Sequence, residues 1–203
     1  MTTLNAAFLF GDGSSGLGLV LLIFAALIVG LYLWGSSRKA RAGKAEQLQN
    51  AYRTMTRALL DGIPDGELVD AVAANLLAKL DKRAPDDYKT IPLLSRGRCA
   101  VYSVWMTVHE LADGGLDEYL HTPSGRFLSL AADGLELVGA PECAAALREA
   151  GDASLEEGAL PALQARFSEA AAREKPLDGC CDYIRNNPEE FLDEAVPAPD
   201  PAG

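Results

Sequence analysis

Residues 101–125, VYSVWMTVHELADGGLDEYLHTPSG, hold an apolar stripe, a double glycine and a proline in one stretch. Val101, Val104, Trp105, Val108, Leu111 and Ala112 recur at helical spacing, so the first half predicts an amphipathic helix. Gly114 comes directly after it, and one glycine of the pair can take the left-handed conformation that closes a helix. Leu116, Tyr119 and Leu120 then predict one short turn of helix, and Thr122-Pro123-Ser124-Gly125 a turn with Ser124 placed to cap the next helix. Gly114, Gly115, Tyr119 and Gly125 therefore read as a structural corner between helices.

Downstream, the same period continues. Phe127, Leu130, Ala131, Leu135 and Val138 predict a helix stopped by Gly139. Pro141 suits a first helical position, and that helix should run to Ala150 before Gly151. Ser154 with Glu157 forms a capping-box pattern ahead of a helix opened by Pro161 and carrying Leu163, Phe167, Ala170 and Ala171. A last short helix is expected after Asn187-Pro188, and VPAPDPAG, residues 196–203, reads as a tail without structure.

Upstream, Leu48, Tyr52, Met55 and Leu59 predict an amphipathic helix ended by Gly62 and Pro64. Asp65 can cap the next, whose apolar face holds Val69, Val72, Ala73, Leu76, Leu77 and Leu80. Residues 85–98 read as an irregular polar linker. No alternating strand pattern and no internal repeat accompany these segments, so the fold class expected is all-α, with a distal body of five to seven helices.

Leu17 to Trp34 contains no charged residue and, at 1.5 Å per residue, would reach about 27 Å. It is expected to be a single transmembrane helix contacting the lipid bilayer. Arg38, Lys39, Arg41 and Lys44 come after it, which orients the N-terminus outside and the remainder in the cytoplasm of a bacterial inner membrane. The expected division is 1–16 external tail, 17–35 membrane helix, 36–84 basic collar and juxtamembrane helices, 85–195 acidic helical domain and 196–203 tail. Ala26 and Gly30 form a small-xxx-small pair through which two copies could dimerise. The glycine pattern GDGSSG at 11–16 is not preceded by a strand, so it carries no dinucleotide reading and no cofactor is expected. Cys99, Cys143, Cys180 and Cys181 lack the spacing of a metal set.

Charge is unevenly placed. Residues 1–50 balance at +2, whereas residues 101–203 hold six Lys/Arg against twenty Asp/Glu, a balance of −14. Such a body excludes nucleic acid as a direct ligand, because phosphate backbones are bound by Lys and Arg. It favours a basic protein partner, and Asp113, Asp117, Glu118, Asp133 and Glu136 are the candidate contacts. The competing enzyme reading is a hydrolase-type site using Cys99, His109 and His121, although no nucleophile elbow, phosphate loop or H-E-x-x-H pattern supports it.

The stretch DGGLDEYLHTPSG, together with GLELVGAPECAAAL and with YIRNNPEEF at 183–191, resembles the bacterial domain family named after DNA mimic protein 19, over roughly residues 85–195. Gly114, Gly115, Tyr119 and Gly125 keep that family's corner pattern. Asp113 stands where the family has Asn, Leu116 for Phe, Glu118 for Gln, Leu120 for the second aromatic, and Thr122-Pro123 for Asn-Ser. The resemblance implies an all-helical fold and an acidic, nucleic-acid-mimicking role in protein binding; it implies no catalytic site.

Overall fold

The computed structural model describes residues 46–80, 86–152 and 158–193. The membrane-helix expectation at 17–35, the collar, the Ala26/Gly30 pair, the Ser154/Glu157 capping box and the 196–203 tail all lie outside them. Among the described residues no helix is long and apolar enough to cross a membrane. The longest, Arg96–Asp113, has 18 residues and carries two arginines, Glu110 and Asp113. The single-pass inner-membrane placement, with its outside N-terminus, is accordingly corrected: no spanning helix among the described residues supports it.

The described residues from Leu48 onward belong to one compact unit, which is all-α, with no strand among the described residues. After a helical stretch at 46–51, its helices include α1 (Arg57–Gly62), α2 (Asp65–Leu77), α3 (Asp87–Thr90), α4 (Arg96–Asp113), α5 (Gly115–His121), α6 (Leu128–Leu137), α7 (Pro141–Ala150), α8 (Leu160–Glu174) and α9 (Pro176–Asn186), joined in places by 3-10 turns. Helix α4 is central and packs against α2, α5, α6 and α9, while α7 packs between α6 and α8.

The expected stripe from Leu48 to Leu59 is broken. Thr56 caps α1 by accepting from the Leu59 amide, and Met55 is wholly buried just before it. The break is held from the far end of the chain. Asp193 accepts from the Met55 amide at 2.7 Å, and its own amide donates to the Met55 carbonyl at 2.9 Å. Asp65 does not cap α2; Pro64 occupies that position and Asp65 is the first helical residue, bonded to Arg185 instead. Within the expected linker, Asp86 caps the short α3 and Ile91 is buried. Ser95 caps α4, which begins at Arg96, ahead of the apolar stripe that opens at Val101.

Two features join α8 to α9. Lys175 has φ +48, a left-handed conformation uncommon for a side-chain-bearing residue, and Pro176 cannot continue the preceding helix. Helix α9 has no counterpart among the helices expected from periodicity, and it presses close to the chain after α6. A Cβ at Gly179 would stand 2.2 Å from the Val138 carbonyl oxygen, so only glycine fits there. The core is closed by Tyr119, Phe127 and Phe191, with Tyr88 meeting Phe127 edge-on at 5.2 Å.

Candidate acidic interface

The corner is built as a tight unit. Gly115 has φ +76 and turns the chain out of α4 into α5. Tyr119 is fully buried, its hydroxyl 3.0 Å from that of Thr107 on α4, and burial pushes it up to about 12. Ser124 does not cap a helix; it lies in the 3-10 turn Pro123–Phe127 and donates to Glu110 at 3.4 Å.

The carboxylates fall into three groups. In the first, arginines neutralise acids across the α6–α8 face. Arg148 bonds both Asp133 (2.8 Å) and Glu136, Arg166 bonds Glu149 at 2.6 Å, and Arg173 bonds Glu142 and Glu169. The hydrogen bond and charge of Arg148 hold the Glu136 carboxyl below its ordinary value.

In the second group, carboxylates hold the fold. Glu174 accepts from the Glu142 and Cys143 amides, both at 2.9 Å, and so caps α7 from α8. Burial works against its charge, and those two amide bonds win, keeping it below the usual range. Glu190 accepts from the Gly97 amide at 2.7 Å and from the Tyr183 hydroxyl at 2.9 Å, which serves the start of α4. Asp193 gathers Lys79 (2.8 Å), Asn75 (2.9 Å) and Arg98 (3.2 Å) in addition to the Met55 amide. Burial alone would raise its carboxyl; the bonds from Lys79, Met55 and Asn75 lower it instead.

The third group faces outward with little neutralisation. Asp65, Asp70, Asp178 and Asp182 line one groove between α2, α4 and α9, together with His109 and Cys181. Asp65 is the member held by an arginine, Arg185, whose hydrogen bond and charge lower its carboxyl. Asp70 accepts from Trp105 Nε1 at 2.7 Å, which ties α2 to α4. His109 sits against the same Trp105, ring centroids 5.1 Å apart, with Nδ1 donating to the Trp105 carbonyl at 2.8 Å. Asp178 and Asp182 are one helical turn apart on α9, and Lys175 reaches Asp178 only at 3.9 Å.

The sequence-derived candidates do not converge on one surface. Asp113 ends α4 with no bonded partner among the described residues, Glu118 folds over Gly114, and Asp117 lies 3.6 Å from His121. Asp117 shares a depression with Gly114 and Gly115, whereas Asp133 and Glu136 line a different groove beside Cys99. The enzyme alternative is not assembled either. Cys99 and His109 are ten residues apart on α4, a rise of about 15 Å, and they line different grooves. Burial raises the Cys99 thiol, which disfavours the thiolate a nucleophile needs. His121 is exposed on α5, bonded to the Asp117 carbonyl. All four cysteines are free, and among the described residues no group of three His, Cys, Asp or Glu could hold a metal ion.

A family model described as DMP19-like protein matches residues 92–197, just over half of the 203 residues. The chain belongs to the DMP19-like family. No curated protein and no solved structure matches it. The DMP19-like segment contains α4 to α9, so the groove is composite: His109, Asp178 and Asp182 come from inside the matched region, and Asp65 and Asp70 from α2 ahead of it. Asp178 and Asp182 are absent from the sequence-derived candidates because periodicity does not reveal α9, and Asp70, on the expected α2, is absent because only the fold brings it beside them. The four-residue spacing of Asp178 and Asp182 is the available signal.

Proposed function

We propose that this chain is an acidic helical interaction module whose surface stands in for a nucleic-acid backbone and binds a basic protein partner. Membership of the DMP19-like family and the −14 balance of residues 101–203 both support this reading. The observation that carries it is the outward-facing third group of carboxylates. Four aspartates around one groove, met among the described residues by the Arg185 guanidinium at Asp65 and by Lys175 at 3.9 Å from Asp178, give a local excess of negative charge that cationic side chains would relieve. Asp113, Asp117 and Glu118 at the corner extend the proposed contact, whereas Asp133 and Glu136 belong to it only if a partner displaces Arg148.

The test is a competition. Basic DNA-binding proteins are presented to the immobilised full chain at about 50 mM and about 500 mM salt, with and without duplex DNA. Retention at the lower salt, release at the higher and displacement by DNA are expected. Retention of no basic protein at low salt, or retention indifferent to DNA, overturns the reading.

A further inference from the structure

His109 stands where α4 borders the acidic groove. Its ring is exposed, and Nδ1 must donate to the Trp105 carbonyl at 2.8 Å, because that oxygen can only accept. One proton of the imidazole is thereby fixed at Nδ1. Nε2 has no bonded partner among the described residues. A second proton can be taken up only there, and it makes the ring a cation.

The ionisable groups around the ring are mostly acids. Helix α2 contributes Asp65 and Asp70, and α9 contributes Asp178, Asp182 and the Cys181 thiol. On α4 itself Glu110 follows directly and Asp113 lies one turn on. The cations that reach the groove's aspartates are Arg185, bonded to Asp65, and Lys175, 3.9 Å from Asp178. Four aspartates against those two cations leave a balance of −2, which an imidazolium at 109 halves to −1. Histidine is the side chain that ordinarily changes charge between about pH 5 and 8, whereas carboxylates ordinarily titrate near about pH 4 and lysines near about 10. The chain has two histidines, and the other, His121, lies beside Asp117 on α5, outside the groove. Burial raises all four thiols, so they keep their protons in that range. His109 is therefore the groove residue whose charge changes there.

We propose that His109 makes the groove's hold on a cationic partner sensitive to pH. With the ring neutral, the aspartates are open to the partner's cations; with Nε2 protonated, the imidazolium answers part of their charge and repels those same cations. This rests on the reading that the partner is basic, and it names what regulates the contact.

The probe is hexalysine with acetylated and amidated ends, whose own charge is constant over this range. It is titrated into the isotope-labelled full chain at about 50 mM salt, at about pH 8 and about pH 5.5, and followed by NMR at the Asp178 and Asp182 amides. Binding there should be about fivefold weaker at the lower pH, the scale of one unit charge at a contact in water. His109→Gln should bind equally at both, while His121→Gln keeps the wild-type difference. His109→Arg, which carries its charge at either pH, should be weak at both, so the prediction does not depend on a loss of response alone. Equal groove binding by the wild-type chain at the two pH values, a response that survives in His109→Gln, or no saturable shift at Asp178 and Asp182 at either pH overturns the proposal. If basic proteins are retained and displaced by DNA while the response survives in His109→Gln, this regulation alone fails. Should hexalysine bind the groove with a response that depends on His109 while no basic protein is retained, the regulation stands and the partner reading falls.

Discussion

The face formed by α6, α7 and α8 and the groove between α2, α4 and α9 are both rich in acid, yet they present different surfaces to a partner. On the first, Arg148, Arg166 and Arg173 each engage a carboxylate on another helix, so much of the negative charge is answered within the fold. On the second, Asp70, Asp178 and Asp182 have no bonded arginine among the described residues, and Lys175 reaches Asp178 only at 3.9 Å. The lesson is that a count of acids measures solubility, and their pairing in space decides which of them a cationic partner can reach.

The largest effect should come from a carboxylate on neither surface. Asp193→Asn leaves Lys79 and Arg98 largely buried beside a neutral amide, and a loss of about 3 kcal/mol is expected, read as a lower urea midpoint. The sign of the shift sets the pH dependence. The folded carboxyl lies below its unfolded value of about 3.9, so its contribution is present above that pH and is lost as pH falls through the lower folded value. Wild type and Asp193→Asn should therefore converge in stability as the solution is acidified below about pH 4; a gap that widens would contradict the assignment.

Next in size, Asp178→Asn with Asp182→Asn should weaken low-salt retention of a basic protein about tenfold and flatten its salt dependence. Asp133→Asn with Glu136→Gln should leave retention nearly unchanged, because those acids are already engaged by Arg148. Equal losses in the two double variants would erase the contrast between the faces.

Glu174→Gln should cost about 1 kcal/mol, the scale of a helix N-cap, measured by thermal melting, while leaving retention intact. The smallest change in stability is expected for Arg148→Ala, whose partners are exposed, and it should instead raise retention by releasing Asp133 and Glu136. A variant that bound no better would show that charge on the α6–α8 face does not serve binding.

Much of the helical plan is legible in the sequence. The stripe of Val101 to Leu111, the glycine corner, the stop before Gly139 and Pro141 as a first helical residue all come from local periodicity and backbone chemistry. Helix α9 is not legible, because Pro176, Gly179 and two adjacent cysteines obscure its stripe, and its packing depends on a glycine against the Val138 carbonyl. The break at Met55 is equally hidden, since the group that holds it lies 138 residues away.

Sequence alone therefore determined the all-α class, the corner, the family resemblance and the overall excess of acid, because each is written in neighbouring residues or in composition. Tertiary structure alone decided which carboxylates cap helices, which meet an arginine and which remain outward. Those outcomes depend on side chains far apart in the chain coming within about 3 Å of one another, a distance that no local pattern encodes.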